Sequence, residues 1–240
     1  KGEKSVCYQE PMNITQKFLF NGASDNSLVL DKVHVGTDGK SYGDEELLAE
    51  AFDRLLRAQY EGPLFVKYAF EIKGFGKKLV LRREKGKYLT STLNGKMLDF
   101  KESAFDCMFE EADITGAVRK GTNEYINELH FYERPHVFWA LFDPEATESV
   151  RNCLWYDTEL ENVTVLGDFT VDGERNITEP VSPEKTSSLE QNGFPYFAGE
   201  VRFSAKIFAS AKRAKLRFEG AYCALRVKVN GKEAGSCFFT

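Results

Sequence analysis

The sequence predicts a mainly β protein, a jelly-roll β-sandwich carrying one amphipathic helix. Three observations lead there. Short runs of alternating apolar residues recur at steady intervals with turn signals between them, which is the pattern of a sandwich. Only one segment has convincing helical spacing. A block of strands closed by Asn-Gly-Lys also occurs twice. Gly62–Tyr68, Lys78–Glu84, Tyr88–Leu93 and Asn94-Gly95-Lys96 make the first copy. Gly199–Phe203, Ala214–Gly220, Tyr222–Val229 and Asn230-Gly231-Lys232 make the second. Opening glycine and closing asparagine are 32 residues apart in one copy (62 to 94) and 31 in the other (199 to 230).

Taken in order, Leu28, Leu30, Val33 and Val35 give a strand over Ser27–Val35, ended by the turn Thr37-Asp38-Gly39. Asp44 is placed to cap a helix in which Leu47, Leu48, Ala51, Leu55 and Leu56 share a face, with Glu45 and Glu46 in its first turn, where the dipole favours them. Gly62-Pro63 should stop it. Everything after that reads as β. Phe65–Ile72 and Lys78–Glu84 are strands joined by the turn Gly74-Phe75-Gly76-Lys77. Tyr88–Leu93 leads into Asn94-Gly95, a dipeptide whose two residues both tolerate positive φ and so favour a tight hairpin. Phe105–Phe109, Glu124–Tyr132, Asn162–Leu166 and Phe169–Val171 follow as strands, with a half-turn of helix between Asp113 and Gly121.

These elements divide the chain into a sandwich module with its helix and an insertion over 1–171, a linker or long surface connection over 172–198, and a partial second module over 199–240. The middle stretch holds three of the seven prolines (Pro180, Pro183, Pro195) among Glu, Ser, Thr and Asn. The last stretch is near the ~40-residue floor for independent folding. It is therefore expected to dock on the first module and to continue beyond this chain.

A formal charge of −5 with dispersed cations, as in Arg82-Arg83 and Lys212-Arg213, argues against a nucleic-acid partner, which needs a basic face. No window approaches the roughly twenty apolar residues of a membrane span, so no membrane partner is expected. Lys1-Gly2-Glu3-Lys4 opens no signal-peptide pattern, and a start without Met suggests a processed or excised piece. Five scattered cysteines (Cys7, Cys107, Cys153, Cys223, Cys237) read as buried free thiols, which leans the chain towards the cytoplasm. Three Asn-x-Thr tripeptides, at Asn13, Asn162 and Asn176, occur often enough by chance to carry no assignment. His34, His130 and His136 lack metal-ligand spacing, and no phosphate loop or Gly-x-Ser-x-Gly is present, so no metal and no cofactor are expected.

The series of two strands, Asn94-Gly95-Lys96, Asp113-Ile114-Thr115, Gly121 and Asn123 resembles the sugar-binding jelly-roll domain of family 2 glycoside hydrolases and related galactose-binding-like modules. Phe194–Gly199 through Val227–Gly235 looks like the start of the same module in large glycosidases, including the rhamnosidase-like ones. Tyr156–Glu161 and Leu166-Gly167-Asp168-Phe169 are similar to the non-barrel part of such enzymes. In that family the chemistry sits in a separate (β/α)₈ barrel, and no stretch here alternates strands with helices as a barrel demands. The resemblance implies an accessory region of a glycoside hydrolase that braces the catalytic barrel of the same parent chain or contacts carbohydrate weakly. The alternative is a protein-interaction or assembly sandwich without sugar contact.

Sugar contact would need exposed aromatic faces with carboxylates or amides gripping the hydroxyls. Trp139, Trp155 and Tyr156 are the aromatic candidates, because they lie outside the repeated strands. Glu159 and Glu161, read as two positions on one face of a strand, are the polar ones. The ordinary alternative, that both tryptophans fill the core or the inter-module seam, stands ahead of that reading. Glycoside cleavage needs two opposed carboxyl groups. Glu110-Glu111, Glu159 with Glu161, Asn123-Glu124 and Asn127-Glu128 could supply them, but strand alternation alone explains the Asn-Glu pairs, and Glu159 and Glu161 read rather as a polar contact or an inter-module salt bridge. No catalytic residue is assigned.

Overall fold

The computed structural model describes residue 14 and residues 18–182, 188–208, 215–219 and 223–238. The chain is mainly β and divides into two compact units, 1–205 and 206–240.

Two sheets, antiparallel except where Ile177 pairs parallel to Ile72, face each other in the first unit. One is ordered β2 (Asn26–Leu30), β12 (Val163–Gly167), β6 (Leu79–Glu84), β10 (Phe109–Asp113) and β9 (Lys101–Glu102). The other runs β13 (Thr170–Val171), β14 (Ile177–Thr178), β5 (Gly62–Ile72), β11 (Gly121–Phe131), β7 (Tyr88–Leu93) and β8 (Lys96–Met97). β3 (Lys32–Gly36) also pairs with β5 and carries the short β4 (Glu46–Leu47). β5 and β11 pair over all eleven residues, from Gly121↔Ile72 to Phe131↔Gly62. Their inward residues alternate strictly: Leu64, Val66, Tyr68, Phe70 and Ile72 on one, Asn123, Tyr125, Asn127, Leu129 and Phe131 on the other. Val163, Val165, Leu79 and Leu81 face them from the other sheet and complete a sandwich core.

The strand expected over Ser27–Val35 is two strands. Leu28 and Leu30 are buried at even positions, Val33 and Val35 at odd ones, so the alternation changes parity at Asp31. The chain there passes from one sheet to the other. Arg175 fixes the crossing by donating from Nη2 to the Val29 carbonyl and to Asp31 Oδ1, both at 2.7 Å.

The predicted helix is α1 (Leu48–Arg57), and it buries Leu48, Ala51, Leu55 and Leu56. It begins after Leu47, later than Asp44 would set it, because Glu46 and Leu47 pair with Val33 and Lys32. Glu50 Oε2 accepts from the Leu47 N–H. It ends at Ala58, before Gly62-Pro63, and Gln59 turns the chain with φ 48°.

Two further helices correct the all-β reading of the remainder. α2 (Pro135–Phe142) has proline in its first turn and buries Val137 and Ala140. α3 (Glu148–Asn152) is capped by Thr147, whose hydroxyl accepts from the Val150 N–H. The strand expected at Phe105–Phe109 is mostly turn, and only Phe109 enters β10. In 172–198, Ile177 pairs with Ile72 of β5, and the Gly193 carbonyl accepts from Val171 N–H and Asn26 Nδ2. β15 (Val201–Ser204) pairs with β1 (Leu19–Ala23).

The second unit contains the hairpin β16 (Ala224–Val229) and β17 (Lys232–Phe238). Its turn residues Asn230 and Gly231 have φ 51° and 79°, against 52° and 78° at Asn94 and Gly95. The two hairpins of the repeat therefore share one turn conformation, with both central residues left-handed. Residues 215–219, the described part of the second copy's middle strand, lie in no strand. The cysteine reading is corrected too. Cys107, Cys153, Cys223 and Cys237 are free thiols but exposed, since each falls in a turn or on the open hairpin; Cys7 lies outside the described residues.

Candidate functional site

Three of the five sequence-predicted contact residues come together in one cleft. Tyr156, Glu159 and Glu161 line a hollow of about 150 Å³ with Glu84, Lys85, Gly86, Lys87, Tyr88, Leu129, Asp157 and Thr158. One wall is the turn between β6 and β7. The other is the irregular segment 155–161, which precedes β12 and corrects the expectation that Glu159 and Glu161 stand on a strand.

That segment has no ladder of its own, so side chains hold it. Glu133, only 3% exposed, accepts from the backbone N–H of Asp157 at 2.8 Å and of Thr158 at 2.9 Å. Burial pushes the Glu133 carboxyl above its usual range, and the two N–H donors oppose that shift. Arg134 pairs with Asp157 at 3.0 Å and donates to the Trp155 carbonyl at 2.7 Å. Thr158 exchanges hydrogen bonds with the Tyr132 backbone, and the buried Tyr68 hydroxyl donates to the Glu161 carbonyl at 3.1 Å. The Tyr156 ring packs edge-on to Phe52 of α1, with centroids 5.1 Å apart.

The opposite wall rests on a charge buried between the sheets. Arg83, 6% exposed, pairs with Glu110 at 2.7 Å. Its Nη1 donates to the Tyr125 hydroxyl at 2.8 Å, to Asn127 Oδ1 at 2.7 Å and to Ser91. Its guanidinium lies between two rings, 3.8 Å from the Tyr88 centroid and 3.7 Å from that of Phe100. The β7–β11 register slips between Glu128 and Leu129, at the pair Leu129↔Tyr88. A bulge there re-aims side chains locally, and both members of the pair line the cleft.

Glu84, Glu159 and Glu161 form no hydrogen bond or ion pair through their carboxylates among the described residues. Burial, with the negative charges of Glu84 and Glu159, raises the Glu161 carboxyl above its usual range. The lysines are engaged: Lys85 with Glu102, and Lys87 with the Asp157 carbonyl at 3.0 Å. A larger cleft of about 290 Å³ between Leu28, Phe70 and Arg175 pairs Arg175 with Asp31 and Lys32 with Glu45, while its Glu71 accepts from the Thr122 hydroxyl and its Glu174 pairs with Lys73. It contains none of the predicted residues.

Neither a family model nor a curated protein matches the sequence. Among solved structures, a β-glucuronidase from Ruminococcus gnavus in complex with uronic deoxynojirimycin is similar over 77% of this chain, at 12% identity and a TM-score of 0.38. The chain spans 40% of that glycoside hydrolase chain.

The tryptophans stand apart from the cleft lining. Trp155 is 76% exposed, and Trp139, on α2, is 42% exposed beside His136. Neither fills the core. Of the carboxylates considered for cleavage, four are engaged, Glu110 by Arg83, Glu111 by Arg82, Glu124 by Lys67 and Glu128 by Thr90, and Glu159 and Glu161 are the two in the cleft. Asn123 braces the 119–121 turn, and Asn127 accepts from Arg83. Tyr88 and Gly86, absent from the sequence-predicted set, belong to the cleft. Their signal was the Glu84-to-Tyr88 turn inside the repeat, which alternation alone reads as a plain strand connection.

Proposed function

We propose that this chain is a non-catalytic accessory β-sandwich region of a glycoside hydrolase whose cleft contacts carbohydrate weakly. One observation carries the reading. The cleft sets two tyrosines, Tyr88 and Tyr156, beside three carboxylates that no group among the described residues engages. Ring faces suit the apolar side of a pyranose, and unpaired carboxylates accept from its hydroxyls. Affinity-gel retardation of the 240-residue chain on immobilised polysaccharides tests it. Retardation that weakens in Tyr156→Ala and Glu159→Gln is expected, and no retardation on any glycan would sink the binding role. Nitrophenyl glycosides should stay intact with the same protein, whereas hydrolysis would overturn the non-catalytic part.

The second reading is bracing of a catalytic barrel. It is favoured by Trp155, a large apolar side chain left 76% exposed. Association with a separately expressed barrel, lost in Trp155→Ala, would support it.

A further inference from the structure

We propose that β16 is an acceptor edge: it takes up, antiparallel, an extended segment of another polypeptide that sets an asparagine beside Asn230 and a carboxylate opposite Arg226. None of the β16 residues lines the cleft, so the carbohydrate reading is not involved.

The first copy of the repeat shows what such an edge holds. β7 and β8 pair as Thr92↔Met97 and Leu93↔Lys96, and β16 and β17 pair as Lys228↔Glu233 and Val229↔Lys232. Counted from Asn94 and Asn230 these are the same positions, so the two hairpins share a register as well as a turn conformation. The other side of β7 is taken by β11, from Tyr125↔Leu93 to Leu129↔Tyr88. There the Asn94 N–H donates to the Glu124 carbonyl at 2.9 Å, and the Asn94 side chain bonds that of Asn123. β16 and β17 form a two-stranded sheet with no third strand among the described residues. Leu93 is fully buried, whereas Val229 at the matching position is 46% exposed. A strand edge in this state offers its alternate N–H and C=O groups to an incoming strand.

The charges choose the occupant. Arg226 stands four residues before Asn230, as Thr90 stands before Asn94. Thr90 pairs with Glu128 of β11 and donates to its Oε2 at 2.8 Å. In the second copy a cation replaces that hydroxyl. Arg226 is exposed, has Ser236 opposite it on β17 and forms no ion pair among the described residues. A carboxylate placed like Glu128 would meet it directly. A second copy is disfavoured as occupant: β16 added antiparallel to another β16 about Val227 would set Arg226 opposite Lys228 twice, and like charges directly opposite destabilise a pair of strands. The chain's own β11 is held between β5 and β7. The pattern recognised is therefore that of Asn123 and Glu128, an asparagine followed five residues later by a carboxylate, on a strand of another chain.

A synthetic peptide of the sequence 121–131, capped at both ends and added at low salt to the ¹⁵N-labelled 240-residue chain, tests this. Hydrogen exchange should slow at the Arg226, Lys228 and Asn230 amides, which alternate with those that face β17. Arg226→Glu should weaken the peptide about fivefold, and a peptide carrying Glu128→Lys should recover that loss on the Arg226→Glu chain while binding the natural chain more weakly. Unchanged turn signals of Asn230 and Gly231 in the variant show that its hairpin is intact, and the charge-swapped pair keeps the test open if they move. No added protection at the three amides, or equal binding of the natural peptide to both chains, overturns the proposal. A dimer of the chain alone that protects the same amides makes a second copy the occupant and overturns it too.

Discussion

Asn94 donates from Nδ2 to Oδ1 of Asn123 at 2.8 Å, tying a hairpin turn to the start of the central strand β11. The same amide donates to the Ala117 carbonyl, and its oxygen accepts from the Glu124 N–H. Asn230 occupies the matching turn position with φ 51° against 52° and forms no such side-chain bond among the described residues.

Replacing the two asparagines by alanine therefore separates turn conformation from tertiary bonding. Both variants pay about 1 kcal/mol for a left-handed alanine. Asn94→Ala should cost about 2 kcal/mol more, because the Ala117 carbonyl and the Glu124 N–H lose the Asn94 side chain, while Asn123 Oδ1 keeps only the Arg119 N–H. Urea titrations of the two variants measure the gap, and equal losses would count against it.

The Arg83–Glu110 pair should be costly to break from one side. Glu110→Ala leaves a cation between the sheets with only neutral partners, and about 3 kcal/mol of stability should go with it. That is the low end for a buried pair, because the Glu110 side chain keeps 20% exposure. Denaturant unfolding reads the loss. Arg82, 24% exposed, pairs with Glu111, so Glu111→Ala should cost less.

Glu161 gives a pH signature. Its carboxyl is raised by burial and by Glu84 and Glu159, so the folded state favours the protonated form. The favourable contribution is complete below the ordinary glutamate range and is lost as pH rises through the raised value. Glu161→Gln should melt higher than the natural chain at pH 7 and level with it near pH 3. Thermal melts at the two pH values suffice, and a variant that melts lower at pH 7 would contradict the assigned repulsion.

Trp155→Ala should leave folding stability within about 0.5 kcal/mol, since its ring is largely in solvent. A loss of several kcal/mol would mean the ring is packed after all.

Much of the frame was legible because buried strands announce themselves by alternation. Leu64 to Ile72 and Asn123 to Phe131 keep strict period two, and both Asn-Gly turns adopt the expected conformation. The split at Asp31 was also written in the chain, as a parity change between Leu30 and Val33, but a reading of continuous apolar content passes over it. α2 escaped because His136–Phe142 is apolar nearly throughout, which masks a helical period, and Pro135 was its remaining signal. Of the candidate site, Tyr156 was found through its place outside the repeat, and Glu159 and Glu161 through a shared strand face that the irregular 155–161 segment does not have. Tyr88 was not, since its place in the cleft depends on a guanidinium against its ring, a relationship that only the folded backbone creates.

The full-length pairing of β5 with β11 also bears on how such a molecule can be altered. The residues that would touch a ligand come mostly from a short reversal at 85–87 and a side-chain-tethered run at 155–161, outside those eleven matched rungs. Exchanging either loop would redraw the recognition surface while the rungs stay zipped, which makes the molecule a natural host for grafted specificities.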